Sequence, residues 1–501
     1  MGFADWIARR NGYVKPDEVK PVQKRGFSAA QVSRLTASLS SQPKPIDTDI
    51  RNGLRKLRAR TREEAINNDY VRRFLALTKS NVIGAQGIIL QARGVDTNGK
   101  LDTLANQAIE EHWGQWGSQG NPDVTGCHSW KSMQRLFVET VAKDGEVLMV
   151  KHRNTGANDY GFAVEFVDVE CLDVDLNREL SNGRSIRMGV ELNSYRKPIA
   201  YHLLTTSKTA DDYTYKGKKY RRIPASRVIH AFLPESVWQT RGFPWLSSSL
   251  MRLNMLNGYE EAELIAARVA SSKMGFFESE SGDEYQGDDT DAEGNMIMDA
   301  EPGSFESLPA GMKFTSWDPQ HPSTAFSDFV KANLRGIAAG LGVSYHTLAN
   351  DLEGVNYSSG RLGALEDREA WKVIQDWVVE VFCAPIFKEW LEIALLRGAI
   401  TLGNGTLKAS NLQKHSRVSW QPRRWAWVDP QKDMNANVSA IENNIRTVSD
   451  VIREQGRDPE EVWQERAREI ERMKELKIEP ASAGFLMPEE NEDAKNDNSE
   501  G

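Results

Sequence analysis

The 501-residue sequence contains few cysteines and no uninterrupted hydrophobic run long enough for a membrane helix. Its three cysteines are odd in number and far apart: Cys127, Cys171 and Cys383. This pattern argues against a disulfide framework and predicts a reducing compartment. The most apolar stretch, residues 378–400, carries charged residues that include Lys388 and Arg397, so we expect no membrane span. We also expect no secretory leader, because the apolar start of the chain is short and its arginines follow it.

The motifs of common catalytic sites are also missing. The eight histidines do not cluster, and neither an H-E-x-x-H motif nor paired C-x-x-C motifs occur. His202 and His230 each lie in a strand-like run, which favours structural histidines over metal ligands. The acidic run DDTDAEG at 288–294 lacks the spacing and the final glutamate of an EF-hand calcium loop. The sequence therefore predicts neither a catalytic centre nor a bound metal or other cofactor.

A glycine- and serine-rich stretch, DLEGVNYSSGR at 351–361, fails two tests for catalytic loops. Its serines do not fit the G-x-S-x-G pattern of a nucleophile elbow. Gly354 and Gly360 are one residue too far apart for a phosphate-binding loop, and Arg361 stands where that loop requires lysine. We therefore expect no serine nucleophile here and no ATPase activity.

Charge is distributed unevenly along a chain whose formal net charge is −8. Residues 51–62 contain six basic residues and no acidic one, whereas residues 278–301 contain ten acidic residues and no basic one. The last stretch, residues 488–501, is acidic and is predicted to be disordered. The mild net charge gives no whole-chain signature of nucleic-acid binding, and solvated loops or tails remain the simplest interpretation of the charged runs.

The first half of the sequence predicts a mixed α+β body, at about residues 60–240, after a loosely ordered N-terminal arm. A helix is expected from Arg62 to Ser80, and mainly helical structure at 121–144. Alternating, β-branched runs follow between residues 145 and 234, and Asn182-Gly183 marks a turn between two of them.

The pattern becomes helical from Phe243 onward. A first long helix is predicted to start at Pro244 and to reach about Lys273. Its small residues are spaced by four, which lets another helix approach closely: Ala262, Ala266 and Ala270. A second helix is predicted at about 323–340, with one apolar face: Val330, Leu334, Ile337 and Leu341.

A third helix is expected to begin near Ser358, to kink at Pro385 and to stop at Gly398. Residues 412–430 are predicted to add a strand pair to the body, and residues 433–477 are again helical.

Several stretches, in this order, resemble the lambda-type family of tailed-phage portal proteins. They are REEAINNDYVRRFLALTKSNVIGAQGIILQAR at 62–93, DGEVLMV at 144–150, KPIAYHL at 197–203, RVIHAF at 227–232, QTRGFPWLSSSLMRLNMLNGYEEAELIAARVAS at 239–271, GLGVSYHTLANDLEGVNYSSGRLGALE at 340–366 and WQPRRWAWVDPQKD at 420–433. The similarity spans about residues 62–475, and the order and spacing of the stretches make it specific.

The resemblance implies a portal-protein fold of the α+β class, with a wing, stem helices, a clip and a helical crown, assembled as a ring that is usually dodecameric. The implied segments are 1–61, a flexible basic N-terminal arm; 62–242, the α+β wing; 243–276, the first stem helix; 277–322, the acidic clip; 323–342, the second stem helix; 343–357, the channel loop; 358–430, a long wing helix and returning strands; 431–480, the helical crown; and 481–501, a disordered acidic tail.

The resemblance also implies a non-enzymatic component of the virion, placed at one capsid vertex and assembled in the host cytoplasm. Double-stranded DNA would be packaged and ejected through the central channel. The implied partners are further copies of the chain, the terminase large subunit, the major capsid and scaffold proteins, and a neck or tail adaptor. We expect no membrane partner.

Particular residues take expected roles from this resemblance. The channel loop would present five residues to DNA: Asn350, Asp351, Leu352, Glu353 and Asn356. Lys331 and Arg335 of the second stem helix would also face the channel. The clip would dock terminase or a connector through four carboxylates: Asp283, Asp288, Asp289 and Asp291. Ser358 or Ser359 would cap the helix after the loop, and the basic run at 51–62 would contact capsid, scaffold or packaged DNA.

Two other function classes stay open at this point. The carboxylates between Asp288 and Glu293 could serve a metal-dependent nuclease, and the chain could be a minor capsid or neck adaptor without a channel. A ring of about twelve 56.3 kDa subunits would favour the portal hypothesis. A monomer or dimer would favour the nuclease, and a particle without an axial hole would favour the adaptor.

Overall fold

The computed structural model describes residues 42–205, 219–271, 326–403, 405–425, 430–455 and 457–476, together with short strands between 275 and 316 and three single positions before residue 42. Helices and strands are mixed throughout these ranges, as the α+β prediction requires. None of the helices described is both long and apolar enough to cross a membrane.

The helices in the described ranges are α1 (Ile46–Asn67), α2 (Asp69–Thr78), α3 (Thr103–Trp116), α4 (Trp130–Asp144), α5 (Leu250–Ser271), α6 (Phe326–Leu341), α7 (Tyr345–Ala349), α8 (Tyr357–Val378), α9 (Ala384–Leu396), α10 (Leu412–His415), α11 (Pro430–Glu442), α12 (Val448–Glu454) and α13 (Pro459–Glu475). Two π-helical turns, Lys79–Ile83 and Val379–Cys383, follow α2 and α8.

The strands are β1 (Ile89–Ala92), β2 (Val147–Arg153), β3 (Phe162–Val167), β4 (Arg178–Glu179), β5 (Ser185–Arg187), β6 (Val190–Leu192), β7 (Pro198–Leu204), β8 (Tyr220–Pro224), β9 (Val228–Ala231), β10 (Gly275–Ser279), β11 (Asp289–Thr290), β12 (Met296–Ile297), β13 (Met312–Ser316), β14 (Thr401–Leu402), β15 (Gly405–Thr406) and β16 (Val418–Gln421).

Two antiparallel sheets form the centre of the body. One has the strand order β3-β2-β9, and the other runs β4-β5-β6-β7-β8. Successive side chains of β2 enter two different cores, because Val147 and Met149 pack among the helices whereas Leu148 and Val150 pack towards the second sheet. Burial on both faces explains why this strand is apolar throughout.

The helical side of the body has a core rich in aromatic residues. Trp113 packs within 4.7 Å of Trp116 and within 5.0 Å of Trp390, measured between ring centroids. Phe382, from the π-helical turn after α8, stacks on Trp130 and Phe137 of α4. These contacts join α3, α4 and α9 into one unit, with stacking energy added to the burial of large apolar surfaces.

The N-terminal boundary of the body differs from the prediction. The flexible arm was expected to extend to residue 61, but α1 begins at Ile46 and buries Ile50 and Leu54. The predicted helix from Arg62 to Ser80 is divided at Asn68, whose side chain accepts hydrogen bonds from the backbone N–H groups of Tyr70 and Val71. Asn68 therefore ends one helix and caps the next.

Helix α5 begins at Leu250, later than the predicted start at Pro244. Residues 243–249 instead form turns against the end of α4, where the N–H of Trp245 donates to the carbonyl of Ala142 over 3.1 Å. The two segments lie so close together here that a Cβ on Gly145, whose φ is +86°, would be 2.0 Å from the carbonyl carbon of Phe243. The chain can start the helix only after it has passed this contact.

Other elements depart from the pattern in smaller ways. Only Trp130–Asp144 is helical within the predicted 121–144 segment, and α3 was not predicted. The long wing helix continues through a π-helical turn, so that Pro385 lies in the first turn of α9, where a missing N–H costs least. The described residues of the 412–430 segment contain one strand, β16, and not the predicted pair; β16 pairs with β1 from the start of the body, and Gly398 takes a φ of +64° just after α9 ends.

Candidate functional site

Helices α5 and α6 pack against each other and against the body. The first half of α5 buries Leu250, Leu253 and Leu256, whereas α6 buries the apolar face predicted for it, with Leu334 and Ile337 fully enclosed. Each helix therefore keeps its opposite side free to contact something else.

The close contact between the two helices uses glycines of α6. A Cβ on Gly336 would lie 1.6 Å from a guanidinium nitrogen of Arg252, and one on Gly340 would lie 2.4 Å from the hydroxyl oxygen of Ser249. The alanine stripe of α5 does not form this contact in the described residues, since Ala262 is exposed there, and its expected approach by another helix stays a prediction. The missing side chains at these two glycines leave the space that the Arg252 guanidinium and the Ser249 hydroxyl occupy.

An apolar stripe remains exposed on α5. Met251, Met255 and Ile265 are 65%, 71% and 53% exposed, and Gly258 and Ala262 lie between them at helical spacing. Residues separated alternately by four and three positions fall on one face of a helix. This face carries apolar side chains into solvent along about four turns of the helix.

The segment after α6 is the stretch predicted to be the channel loop. Helix α7 ends at Asn350, which adopts a left-handed conformation with a φ of +54°. The Asp351 carboxylate then accepts hydrogen bonds from the hydroxyl of Tyr345 over 2.6 Å and from the N–H of Glu353 over 2.9 Å. The carbonyl of Asp351 is also 2.9 Å from Nδ1 of His346. The loop is thus folded back onto α7 by its own side chains.

Both predicted basic residues of α6 contact this loop. Lys331 Nζ lies 2.8 Å from a Glu353 carboxylate oxygen and 3.7 Å from one of Asp351. The guanidinium of Arg335 lies 5.4 Å from the ring centre of Tyr345, a cation–π distance. Six of the seven residues predicted for the channel therefore form one cluster: Lys331, Arg335, Asn350, Asp351, Leu352 and Glu353.

Contacts within the loop shift the pKa values of three of its titratable groups. The hydrogen bond from Tyr345 lowers the pKa of Asp351, and the bond to Glu353 raises the pKa of Lys331. Desolvation and the bond to Asp351 together raise the pKa of Tyr345. Leu352 and Glu353 stay exposed.

The remaining predicted residues lie elsewhere. Asn356 directly precedes α8, and its carbonyl accepts a hydrogen bond from the N–H of Gly360 over 2.9 Å. The expectation that Ser358 or Ser359 would cap this helix is wrong, because α8 already begins at Tyr357.

In the clip, Asp289 lies in the two-residue strand β11, which pairs with β12. Strands β10 and β13 pair at the two ends of this acidic segment. The other three carboxylates predicted for docking lie outside the described residues: Asp283, Asp288 and Asp291.

A buried ionic cluster was not predicted. Glu146 is completely buried, and both of its oxygens face cations: Arg241 Nε donates over 2.8 Å, and Arg58 contributes a second ion pair. His230 Nε2 lies 2.9 Å from the same carboxylate. Burial alone would raise the pKa of Glu146, but the charges of Arg241 and Arg58 hold it well below the ordinary value.

This cluster corrects the interpretation of the basic run at 51–62. Arg58 of α1 is buried on Glu146, Arg62 pairs with Asp144 over 2.7 Å, and Arg55 pairs with Asp173 over 2.7 Å. Three of the six basic residues thus attach α1 to the body, leaving Arg51, Lys56 and Arg60 for outside contacts. The signal in the sequence was the spacing of Arg55, Arg58 and Arg62, which places them on one face of a helix.

The histidines have the structural roles expected of them. His230 contacts Glu146, and His202 Nε2 lies 3.0 Å from Glu191. Within the described ranges, no group of three or more histidine, cysteine or acidic side chains is arranged to hold a metal ion.

Known proteins are similar to this sequence over most of its length. Residues 32–375 match the family described as phage portal protein, lambda family. A probable portal protein of Halomonas phage phiHAP-1 is 37% identical over 473 residues, which cover 93% of this chain and 90% of that protein. Portal protein B of Escherichia phage lambda is 24% identical over 405 residues, covering 72% of this chain and 73% of that protein.

Among solved structures, a chain from the neck of a native GTA particle, computed with C12 symmetry, has a TM-score of 0.40 and 10% sequence identity. The alignment covers 82% of this chain and 93% of that chain. The extent of the family match and of the Halomonas phage similarity decides the assignment. This chain belongs to the lambda family of phage portal proteins.

Proposed function

We propose that this portal protein assembles as a ring, a dodecamer, at one vertex of the capsid and that double-stranded DNA passes through the ring during packaging and ejection. The observation that carries the proposal is the exposed apolar face of α5, with Met251, Met255 and Ile265 in solvent. An isolated chain gains nothing from this exposure, whereas a neighbouring copy that packs on it would bury a continuous stripe.

The loop after α6 is the element that we propose contacts the DNA. Its side chains hold it in a defined conformation through Asp351, Tyr345 and Lys331, and this geometry leaves Leu352 and Glu353 facing outward. A loop whose lysine is already occupied by carboxylates can touch the duplex without gripping its phosphates, and we propose that Lys331, Arg335 and Asn356 belong to the same channel surface.

The charge of the chain supports a conduit rather than a tight binder. Each phosphate neutralised by lysine or arginine adds salt-dependent affinity, so a channel rich in cations would hold DNA in place. A net charge of −8 per chain becomes about −96 for twelve chains, a field that opposes tight adsorption of DNA. We therefore propose a structural role without enzymatic activity.

The partners proposed for the other surfaces follow the distribution of charge. The acidic clip, with Asp283, Asp288, Asp289 and Asp291, would dock a basic surface of the terminase large subunit and later of a neck or tail adaptor. The outward bases of α1, Arg51, Lys56 and Arg60, would contact the major capsid and scaffold proteins. The assembled ring would then be part of the virion, after assembly in the host cytoplasm.

The ring contact is tested by placing charge on the exposed face of α5. We expect Met255→Glu, alone or with Met251→Glu, to shift the purified protein from a particle about twelve times the 56.3 kDa subunit to monomers and small oligomers, measured by light scattering. The reason is that a buried, unpaired carboxylate at each subunit contact is strongly unfavourable.

A matched control places the same charge on a different exposed apolar residue, Leu396→Glu at the end of α9. We expect this variant to keep the full particle mass. If the Met255→Glu variant also kept the full mass, the α5 face would not be the subunit contact and the proposal would lose its main support.

A further inference from the structure

A second exposed apolar surface lies beside the first turn of α1. Tyr195, Val237 and Trp238 are 90%, 81% and 74% exposed. Tyr195 lies in the turn between β6 and β7, and the other two residues lie in the segment after β9. Large apolar side chains that are exposed close together mark interaction sites more often than isolated ones do.

The backbone around this surface is held in an unfavourable conformation. Trp238 and Arg196 both have positive φ values, +66° and +61°, which side chains other than glycine rarely adopt. Arg196 Nη2 donates to the carbonyl of Trp238 over 2.9 Å and to Asp47 over 3.1 Å, and its guanidinium lies 5.9 Å from the indole centre. The fold therefore fixes an exposed indole in place, and strain of this kind concentrates at functional positions.

A cavity of about 650 Å³ adjoins the indole. Val237 and Trp238 form one wall, and Pro43, Lys44 and Pro45 form another. These prolines and the lysine are the residues with which the chain enters α1, so the 41 residues before Gln42 start at the rim of this cavity. Those 41 residues include three large apolar side chains within five positions: Phe3, Trp6 and Ile7.

We propose that the N-terminal segment of this chain, residues 1–41, docks in the cavity beside Trp238, with Phe3, Trp6 and Ile7 as its apolar anchors. Its attachment at the rim favours this occupant over a separate protein, because a tethered ligand has an effective concentration in the millimolar range. The entropic cost of closing the connecting loop grows only with the logarithm of its length. A contact too weak to form between separate molecules can therefore form here.

Trypsin cleavage after Arg9 or Arg10 reports on this docking in the full-length protein. If the anchors are docked, these arginines are protected, and Trp238→Ala should increase the cleavage rate by about tenfold, followed by mass spectrometry. The rate rises because cleavage proceeds from the undocked form, whose population the substitution increases. Trp6→Ala should give the same increase, and the double variant should cleave no faster than either single variant.

Trp463→Ala provides the matched control, because Trp463 is an exposed tryptophan too, at 48%, but lies on α13. This variant should cleave at the wild-type rate. Trp238 is largely exposed, so its replacement leaves the core intact, and an unchanged unfolding transition verifies this.

Hydrogen exchange identifies the occupant independently. Removal of residues 1–36 should increase amide exchange at residues 235–240 in the assembled protein. Equal cleavage rates in wild type and Trp238→Ala would overturn the proposal. Protection at 235–240 that survives the truncation would also overturn it, and would point to a neighbouring copy of the chain as the occupant.

Discussion

Two of the clusters of opposite charges in the described part of the chain are built in contrasting ways. Around Glu146, the side chains of Arg58, Arg241 and His230 are at most 2% exposed, and residues from α1, β9 and the segment before α5 converge on one carboxylate. In the loop after α6, Lys331 meets Glu353 while the glutamate side chain stays 79% exposed. The first cluster joins distant segments of the chain, whereas the second joins a loop to the helix beside it.

Because the two clusters differ in burial, they contribute differently to the stability of the fold and to contacts with other molecules. Charges taken out of water lose hydration, so a buried pair is stable only while every partner is present, and removal of one partner is costly. An exposed pair contributes little to stability and exchanges easily with water, salt or another charged molecule. The Glu146 cluster is therefore suited to hold the body together, and the Lys331 loop is suited to contact a charged molecule that moves past it.

The largest expected effect is on stability, from Glu146→Gln. The substitution leaves Arg58 and Arg241 buried without a counter-charge, and we expect the free energy of unfolding to fall by about 3–5 kcal/mol. Chemical unfolding followed by circular dichroism measures the change. Glu179→Gln, in an exposed pair with Arg187, is the control and should leave the transition almost unchanged. A small loss for Glu146→Gln would show that the cluster does not anchor α1.

The second effect concerns acid. Because the pKa of Glu146 in the folded protein lies well below its ordinary value of 4.5, this group adds stability above that value. The contribution is lost progressively as the pH falls below it towards the folded-state pKa. Wild type should therefore lose stability between pH 5 and pH 3 more steeply than Glu146→Gln, in thermal unfolding at a series of pH values. Parallel curves for the two proteins would contradict this assignment.

The third effect should appear in function and not in stability. Replacement of residues 350–356 by a short Gly-Ser linker removes Asp351, Leu352 and Glu353 but leaves α6 and the exposed face of α5 unchanged. We expect rings of normal mass and a normal unfolding transition, together with impaired DNA packaging or retention in infected cells. Normal packaging by this variant would remove the loop from the channel.

The smallest effect is expected from the single contact between Lys331 and Glu353. Lys331→Ala should leave the unfolding midpoint unchanged within error, because the pair is exposed. It should reduce packaging only partly, since Tyr345 still holds Asp351 over 2.6 Å. The exchanged pair, Lys331→Glu with Glu353→Lys, should recover part of the loss but not all of it, because a carboxylate at position 331 would also lie beside Asp351. Failure of the exchange to recover packaging would indicate that Lys331 has a role apart from holding the loop.

The local structure of this protein was largely predictable from the sequence. The apolar run that contains Val147 to Val150 is strand β2, and the apolar face of α6 is buried. These features depend on short-range patterns, namely the period of apolar residues and the turn-forming Asn182-Gly183 pair, whose φ values are both positive.

What the sequence did not reveal depends on partners far away in the chain. The run of arginines in α1 has the composition of a solvated arm, and only the fold brings Arg58 to Glu146, 88 positions later. The start of α5 was likewise misplaced, because the close contact between Gly145 and Phe243 is a tertiary contact. For the loop after α6, the sequence indicated the residues, but not that Lys331 and Glu353 would meet.

The central claim is that copies of this chain surround a channel for DNA, and averaged electron micrographs of the purified full-length protein test it most directly. We predict rings, most with twelve-fold symmetry, with an axial hole wide enough for duplex DNA. Particles without an axial hole, or a preparation that consists of monomers and dimers at all concentrations, would contradict the account.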